Sequence, residues 1–297
     1  MKGIVLAGGT GSRLYPLTLA TSKQLLAVYD KPMLYYPLSV LMLAGIRDIL
    51  IISNPDVVPQ MRHLLGDGSR LGLNVSYAEQ KEPRGIAEAF LIGASHIGHD
   101  RSALILGDNL FHGAGFYSLL QREARSGNGC TLFGYSVSDP ERYGIAETDA
   151  DGQLISISEK PLRPRSNQAI TGLYFYDNDV VSIAAELRPS DRGELEITDV
   201  HQEYLRQRRA ALVPLSRGYT WMDCGTHASL LAASQYVQVI QERQGVRVAC
   251  LEEIALRMGF IDAETCYELG ASMRQSDYGR YLTEIAFAHD EGRWKDC

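Results

Sequence analysis

The sequence predicts an α/β fold: a doubly wound, mostly parallel sheet followed by a helical C-terminal portion. Three observations predict it. Short apolar runs of strand length recur up to residue 176, helix-length amphipathic stretches separate the earlier runs, and strand-like alternation stops after about residue 235. Strands that alternate with helices favour a parallel sheet with helices on both faces. We therefore predict a core over residues 1–235 and a helical portion over residues 236–297.

The predicted strands cover residues 3–7, 48–53, 74–78, 103–106, 131–137 and 171–176. The first predicted helix covers residues 32–44, with Pro32 in its first turn, where a backbone N–H is not needed. A second predicted helix covers residues 86–96. Because ligands of such sheets bind beyond the carboxyl ends of the strands, the residues that follow each apolar run are the first candidates for a site.

The composition is that of a globular chain of 297 residues, 45% of them hydrophobic, with a formal net charge of −7. An acidic chain has no general attraction to nucleic acid or to anionic membranes, so neither is an expected partner. We recognise no secretory signal and no apolar stretch of membrane-spanning length, and therefore expect a cytoplasmic protein. The cysteines are scattered without a C-x-x-C pair, which predicts free thiols: Cys130, Cys224, Cys250, Cys266 and Cys297.

A glycine-rich stretch, "LAGGTGSRLYPLT", follows the first predicted strand at residues 6–18. It is not a dinucleotide fingerprint, because Leu14 stands where the third glycine is needed, and it lacks the Gly-Lys-Ser/Thr ending of a P-loop. Glycines still let backbone N–H groups approach an anion, and Arg13 adds a guanidinium that recognises phosphate oxygens. The stretch thus indicates a phosphate-binding loop or, alternatively, a tight turn with a surface arginine.

Charged residues follow several other predicted strands. Lys23, in "SKQLL", could reach the same phosphates, or could be a surface lysine. Asp108, in "SALILGDN", and Asp223, in "WMDCG", each end a strand-like run and could hold Mg²⁺, although turn aspartates are the alternative. Two acidic side chains, Asp108 and Asp223, together with two basic ones, Arg13 and Lys23, suggest metal-assisted phosphoryl chemistry. A second anion site is indicated by "SEKP" and "DRGELEITD", which contain Glu159, Lys160 and Arg192.

Assembled in order, these stretches resemble the sugar-1-phosphate nucleotidylyltransferases, most closely the glucose-1-phosphate thymidylyltransferases. The resemblance rests on "LAGGTGSRLYPLT", "SKQLLAVYDKPMLYYPLSVLMLAGI", "LLGDGS", "LGDN", "DPERYG", "SEKP", "TGLYFYD", "RGELEITDV" and "GTHASLLAASQYV", and continues through "RQGVRVACLEEIA". It covers nearly the whole chain, and motifs in this order are far more specific than a glycine loop alone.

The resemblance implies a Rossmann-like nucleotidyltransferase core with a nucleotide-binding and a sugar-phosphate-binding half. It implies the reaction of dTTP with glucose 1-phosphate, which gives dTDP-glucose and pyrophosphate and begins the synthesis of dTDP-deoxysugars. It also implies a homotetramer, in which residues 236–297 supply an interface and a regulatory site.

Residue by residue, the resemblance implies three groups. The nucleotide side comprises Leu6, Gly8, Gly9, Gly11, Arg13, Lys23, Gln24, Gln80, Gly85 and Ile86, with Gln80 and Gly85 bonding the base. The sugar-phosphate side comprises Tyr143, Gly144, Glu159, Lys160, Ile170, Tyr174, Arg192 and Trp221. Asp108 and Asp223 are implied to hold Mg²⁺ and, with Arg13 and Lys23, to form the catalytic set.

Some positions depart from the family pattern. The stretch "QKEPRGIAEAF" carries Arg84, Ile86 and Glu88 where the pattern has aspartate, leucine and glutamine, and Cys224 replaces a threonine after Asp223. The exchange of leucine for isoleucine conserves volume and costs less than about 1.5 kcal/mol. Two alternatives stay open: a related enzyme that uses UTP or another sugar 1-phosphate, and a catalytically silent nucleotide-binding regulator.

Overall fold

A mixed, mostly parallel sheet forms the centre of the computed structural model, which describes residues 1–127 and 129–290. Two pairs of strands, β2 with β3 and β7 with β13, form separate two-stranded sheets, and the other strands belong to the central one. In chain order the strands of the described residues are β1 (Lys2–Leu6), β2 (Ala27–Val28), β3 (Lys31–Pro32), β4 (Asp48–Ser53), β5 (Asn74–Glu79), β6 (Ser102–Leu106), β7 (Asn109–Gly113), β8 (Cys130–Ser136), β9 (Gly144–Thr148), β10 (Leu154–Glu159), β11 (Gln168–Tyr176), β12 (Ala210–Leu215) and β13 (Tyr219–Asp223). All six predicted strands are confirmed, with ends that differ by a few residues.

The helices lie on both faces of this sheet and at the C-terminal end of the described chain. They are α1 (Tyr35–Leu43), α2 (Val58–Leu65), α3 (Glu88–Ile92), α4 (Ala94–Ile97), α5 (Phe116–Arg125), α6 (Val180–Glu186), α7 (Ile197–Arg206), α8 (His227–Gln244), α9 (Leu251–Arg257), α10 (Ala263–Ser272) and α11 (Asp277–Asp290). None of the helices in the described ranges is long and apolar enough to cross a membrane.

The strand order places a topological switch point beside β1. Strands β4 and β6 flank β1 and run parallel to it, β5 continues the sheet beyond β4, and β11 pairs antiparallel with β6. The chain therefore leaves β1 for one side of the sheet and later returns to its other side. In doubly wound sheets a crevice opens at this point, outside the carboxyl ends of the strands.

Two predicted helices need correction. The helix expected over residues 32–44 begins only at Tyr35, because Pro32 pairs with Ala27 in the β2–β3 hairpin. Proline fits an edge strand as well as a first helical turn, so the local pattern does not distinguish the two. The helix expected over residues 86–96 is two short helices, α3 and α4, that meet at Gly93.

The region after residue 235 is helical over its described part, as predicted, and it packs into the main core. Leu251 and Ala255 of α9 are buried in the same apolar cluster as Val5 of β1. The predicted boundary at residue 235 lies inside α8, so the division into two portions remains a prediction. Four of the five cysteines are free and buried, whereas Cys297 lies outside the described residues.

Candidate active site

The glycine loop is held in shape by the side chains of Asn54, which lies outside its motif, and of Thr18, the last residue of the motif. Gly9 and Gly11 have φ angles of 96° and 61°, a left-handed backbone that favours glycine. The N–H of Gly9 donates to Oδ1 of Asn54 at 3.2 Å, and Nδ2 of Asn54 donates back to the Gly9 carbonyl at 3.2 Å. The Thr18 hydroxyl donates to the Gly11 carbonyl at 2.8 Å. The loop therefore has a defined backbone path at the switch point.

A cavity of about 260 Å³ opens beside this loop, at the carboxyl ends of β1 and β6. It brings together most of the predicted site residues from both sides of the resemblance. Those that line it are Leu6, Gly8, Gly9, Lys23, Gln24, Gln80, Gly85, Ile86, Asp108, Glu159, Lys160 and Arg192. The sequence did not single out five further lining residues, Pro83, Leu106, Glu194, Glu196 and Ile197.

The remaining predicted residues lie outside the lining of this cavity. They are Gly11, Arg13, Tyr143, Gly144, Ile170, Tyr174, Trp221 and Asp223. Their roles in binding stay predictions.

Two antiparallel strands bring the predicted metal-binding carboxylates together. Strand β7 pairs with β13 so that Asn109 faces Asp223, and the N–H of Cys224 donates to the Asp108 carbonyl at 3.0 Å. Lys23 forms a salt bridge with Asp108, and Asn109 Nδ2 donates to Asp108 Oδ1 at 2.9 Å. Two carboxylates from distant parts of the sequence thus share one end of this small sheet.

These contacts give the two carboxylates opposite electrostatics. Burial opposes ionisation of Asp108, but the charge and hydrogen bond of Lys23 outweigh it, so the pKa of Asp108 lies below its usual range. Burial and, next, the charge of Asp108 raise the pKa of Asp223 above its usual range. Within the described residues, Oδ1 of Asp223 is buried without a hydrogen-bond partner. An additional positive charge here would stabilise both ionised carboxylates.

The donor set fits a hard divalent cation that keeps open positions. The described residues contain no group of three or more histidine, cysteine, aspartate or glutamate side chains able to hold a metal ion. Mg²⁺ is commonly held by one or two carboxylates, with water and substrate phosphate as its other ligands. Asp108 and the unpartnered oxygen of Asp223 supply such a pair of carboxylates.

Gly225 allows Arg13 to lie beside Asp223. A Cβ at position 225 would lie 2.7 Å from Asp223 Oδ1 and 2.9 Å from Arg13 Nη2, closer than real Cβ contacts allow. Both side chains therefore pack against Gly225, where no larger residue would fit. The sequence predicted the two charged residues but not the need for a glycine between them.

Two further cations that line the cavity are paired with acids. Lys160 Nζ lies 3.0 Å from Glu159 Oε1, and Arg192 Nη2 lies 2.9 Å from Glu196 Oε1. The Thr198 hydroxyl donates to Glu159 Oε2 at 2.6 Å and fixes that carboxylate. The Lys160 and Arg192 side chains are 50% and 52% exposed, so these ion pairs are weak and a phosphate can compete for the cations.

Two aromatic residues, Trp221 and Tyr143, pack together close to the carboxylates. Trp221 donates from Nε1 to Asn109 Oδ1 at 2.6 Å, and the rings of Trp221 and Tyr143 pack edge to face, 5.3 Å apart. Tyr174 and Ile170, on β11, are buried. The structure thus places Trp221 next to the residue that follows Asp108, where it supports the strand pair β7–β13.

Fold and site together define an α/β protein with a crevice lined by cationic side chains and with a carboxylate pair. The sequence profile of the nucleotidyl transferase family matches residues 2–239, and the chain belongs to this family.

Named relatives are similar over nearly their whole length. A glucose-1-phosphate thymidylyltransferase of Xanthomonas campestris pv. campestris is 56% identical over 285 residues, which are 96% of this chain and 97% of the relative. A glucose-1-phosphate thymidylyltransferase of Mycobacterium tuberculosis is 53% identical, over 96% of this chain and 99% of the relative.

A solved structure agrees in fold. A crystal structure of a proposed glucose-1-phosphate thymidylyltransferase from Bacillus anthracis, in complex with sucrose, superimposes with a TM-score of 0.74 at 41% identity. The similarity covers 80% of this chain and 94% of that chain. The expected nucleotidyltransferase fold is thereby confirmed.

Proposed function

We propose that the chain transfers a thymidylyl group from dTTP to α-D-glucose 1-phosphate, giving dTDP-glucose and pyrophosphate. The carrying observation is that one cavity is lined both by Lys23 and Asp108, from the predicted triphosphate and metal sites, and by Lys160 and Arg192, from the predicted sugar-phosphate site. Membership of the nucleotidyl transferase family and the high identity to named thymidylyltransferases support the reaction. The product is the activated sugar from which dTDP-deoxysugars are made.

The reaction joins two anions, so its barrier is dominated by charge and alignment. An oxygen of the sugar phosphate attacks the α-phosphorus of dTTP and forms the new P–O bond. The bond between the α-phosphorus and the bridging oxygen breaks, and its electron pair leaves on pyrophosphate. The attacking oxygen is already deprotonated near neutral pH, hence no general base is needed.

The chain's own residues supply positioning and charge. Gly8, Gly9 and Gly11 of the loop, with Arg13 and Lys23, bind the triphosphate. In the same cavity, Lys160 and Arg192 hold the sugar phosphate, which aligns its oxygen with the α-phosphorus. Preorganised cations of this kind stabilise charge in the transition state without reorganising at the moment of reaction.

Asp108 and Asp223 would hold Mg²⁺, which when bound would neutralise charge on phosphate oxygens. Both carboxylates remain ionised in this role. We also propose a homotetramer, on the resemblance alone.

The function is tested by pyrophosphate release across a panel of nucleoside triphosphates and sugar 1-phosphates, each with and without Mg²⁺. We expect the highest kcat/KM for dTTP with glucose 1-phosphate, and loss of turnover when EDTA removes the metal. Some use of UTP is expected, because the single methyl group that distinguishes thymine is worth only about 1–3 kcal/mol. A higher kcat/KM with UTP or another sugar would favour the related enzyme, and binding without turnover would favour the silent regulator.

A further inference from the structure

Two polar side chains extend the pairing of β1 with β4 beyond the ends of these strands. The backbone pairing ends where the N–H of Ala7 donates to the Ile52 carbonyl at 2.7 Å. The Ser53 hydroxyl then donates to the Ala7 carbonyl at 2.9 Å. Asn54, the next residue, forms two hydrogen bonds with Gly9, each 3.2 Å long. The segment after β4 therefore continues to hold the segment after β1, with side chains in place of backbone groups.

The Asn54 amide matches both backbone polar groups of Gly9. Its Oδ1 accepts from the Gly9 N–H and its Nδ2 donates to the Gly9 carbonyl, and the reverse orientation of the amide would satisfy neither. The two hydrogen bonds thus fix the peptide groups on both sides of Gly9. This is the residue at which the loop turns, because its φ angle of 96° is one that favours glycine.

The backbone N–H groups that follow Gly9 are left available. In the described part of the chain, the N–H groups of residues 10–13 donate to no other protein group. Consecutive backbone N–H groups of this kind can bind an anion together. The N–H of Gly9 is used by Asn54, so Gly9 serves the loop through its conformation rather than through a free donor.

We propose that Asn54 is a positioning residue for the triphosphate, which holds the glycine loop in its binding conformation through Gly9. A loop that already has its bound conformation loses less conformational freedom when the ligand binds, and its affinity is higher for that reason. Asn54 needs no contact of its own with the triphosphate. This inference rests on the proposed function, because it takes the glycine loop as the triphosphate site.

The test compares Asn54→Ala and Asn54→Leu with the control Asn178→Ala. Asn54→Ala removes the side-chain amide, and Asn54→Leu keeps its approximate size without its hydrogen bonds, so either variant decides the test if the other does not fold. Asn178 Nδ2 donates to the carbonyls of Gly98 and Asp100 at 2.9 Å and 2.8 Å, near the start of β6 and at the opposite end of the sheet from the cavity. The control therefore also removes two hydrogen bonds to the backbone, but far from the loop.

Three measurements separate a role at the phosphates from a role in folding. Titration calorimetry, without the sugar phosphate, gives the Kd of dTTP and the Kd of thymidine, which lacks the phosphates. Pyrophosphate release at saturating dTTP gives the KM for glucose 1-phosphate. Thermal unfolding reports on the stability of each variant.

We expect the Kd of dTTP to increase about tenfold in Asn54→Ala and in Asn54→Leu, because the loop must then be ordered when the triphosphate binds. The Kd of thymidine should stay unchanged, since a nucleoside makes no use of the phosphate loop. The KM for glucose 1-phosphate should also stay unchanged. Asn178→Ala should bind dTTP as the wild type does.

The outcomes separate failure of the inference from failure of the proposed function. An unchanged or lower Kd of dTTP in an Asn54 variant would overturn the inference while the proposed function stands. An equal loss of affinity for dTTP and thymidine, together with a lower unfolding midpoint, would assign Asn54 a structural role and also overturn it. A wild-type protein that neither binds nor turns over dTTP would refute the proposed function itself.

Discussion

A buried histidine should make the stability of this protein depend on pH. His201 of α7 is 1% exposed, and its Nε2 lies 2.7 Å from the Tyr176 hydroxyl. Its ring also packs against Tyr174, a predicted sugar-pocket residue, with ring centroids 4.9 Å apart. Burial lowers the pKa of His201 from 6.5 to about 3, so the folded protein keeps this side chain neutral.

The sign and size of the effect follow from the pKa difference between the two states. Because the folded pKa is the lower one, His201 costs no stability above pH 6.5, and stability is lost as the pH falls from 6.5 towards 3. A pH of 5 lies about 1.5 units below the pKa of an exposed histidine, and each unit is worth about 1.36 kcal/mol. Between pH 7.5 and pH 5, His201 should therefore remove about 2 kcal/mol from the free energy of unfolding.

The assay is thermal unfolding of wild type and His201→Gln at pH 7.5 and pH 5. With an unfolding entropy of about 2.1 cal/mol/K per residue, about 2 kcal/mol corresponds to roughly 3 °C in the Tm of a chain of this size. The wild type is expected to show this extra decrease. His201→Gln should start from a lower Tm at pH 7.5, so the two pH-induced shifts are compared rather than the absolute values. His63→Gln, a change at an exposed histidine, should keep the wild-type shift. The reasoning would be refuted if His201→Gln lost as much stability as the wild type.

Three further predictions concern the site. Asp108→Asn and Asp223→Asn should each lower kcat/KM by about 10²-fold or more, with partial recovery at high Mg²⁺. In steady-state kinetics the double variant should be only slightly worse than the poorer single variant. Losses that multiply and do not depend on Mg²⁺ would contradict the shared site. Lys160→Ala should raise the KM for glucose 1-phosphate with little change in the Kd of dTTP, whereas Arg13→Ala should weaken dTTP binding. The reverse result in calorimetry would show that Lys160 binds the triphosphate and Arg13 the sugar phosphate. Gly225→Ala should lower kcat about tenfold or more, because the added Cβ would displace Asp223 and Arg13. An unchanged kcat in this variant would show that the position of neither side chain depends on the glycine.

Much of the fold could be predicted because its central strands β1, β4 and β6 are buried on both faces. Such strands are continuous apolar runs, and their order with intervening helices predicts a parallel sheet. Helix boundaries were less predictable, because a proline such as Pro32 suits both a hairpin and a first helical turn. The packing of α9 into the main core also has no sequence signal, since an apolar helix face does not reveal its partner.

The residues of the candidate site also divide into those that the sequence could predict and those that it could not. Asp108 follows a strand, and Lys23 belongs to a motif near the glycine loop, so both could be predicted from their positions in the sequence. The residues that sequence reasoning missed, Asn54 and Thr198 among them, act through hydrogen bonds to other site residues, Asn54 to Gly9 and Thr198 to Glu159. Asparagine after a strand, as at Asn54, and threonine in the first turn of a helix, as at Thr198, are both common. Only the folded backbone shows which of them contacts a glycine loop or a carboxylate.

Two of the eight buried side-chain atoms that lack a hydrogen-bond partner in the described ranges lie where the proposed substrates and metal ion would bind. Within the described ranges, Oε1 of Gln24 and Oδ1 of Asp223 are both buried without a hydrogen-bond partner, and both residues adjoin the crevice at the end of β1. Each buried atom of this kind costs about 1–3 kcal/mol, more when it is charged. A fold selected for stability alone would replace them with apolar side chains of similar size, since such exchanges are close to neutral or favourable. Their retention at the predicted triphosphate site is the expected consequence of a crevice organised for ligands that bring their own hydrogen-bonding groups and positive charge.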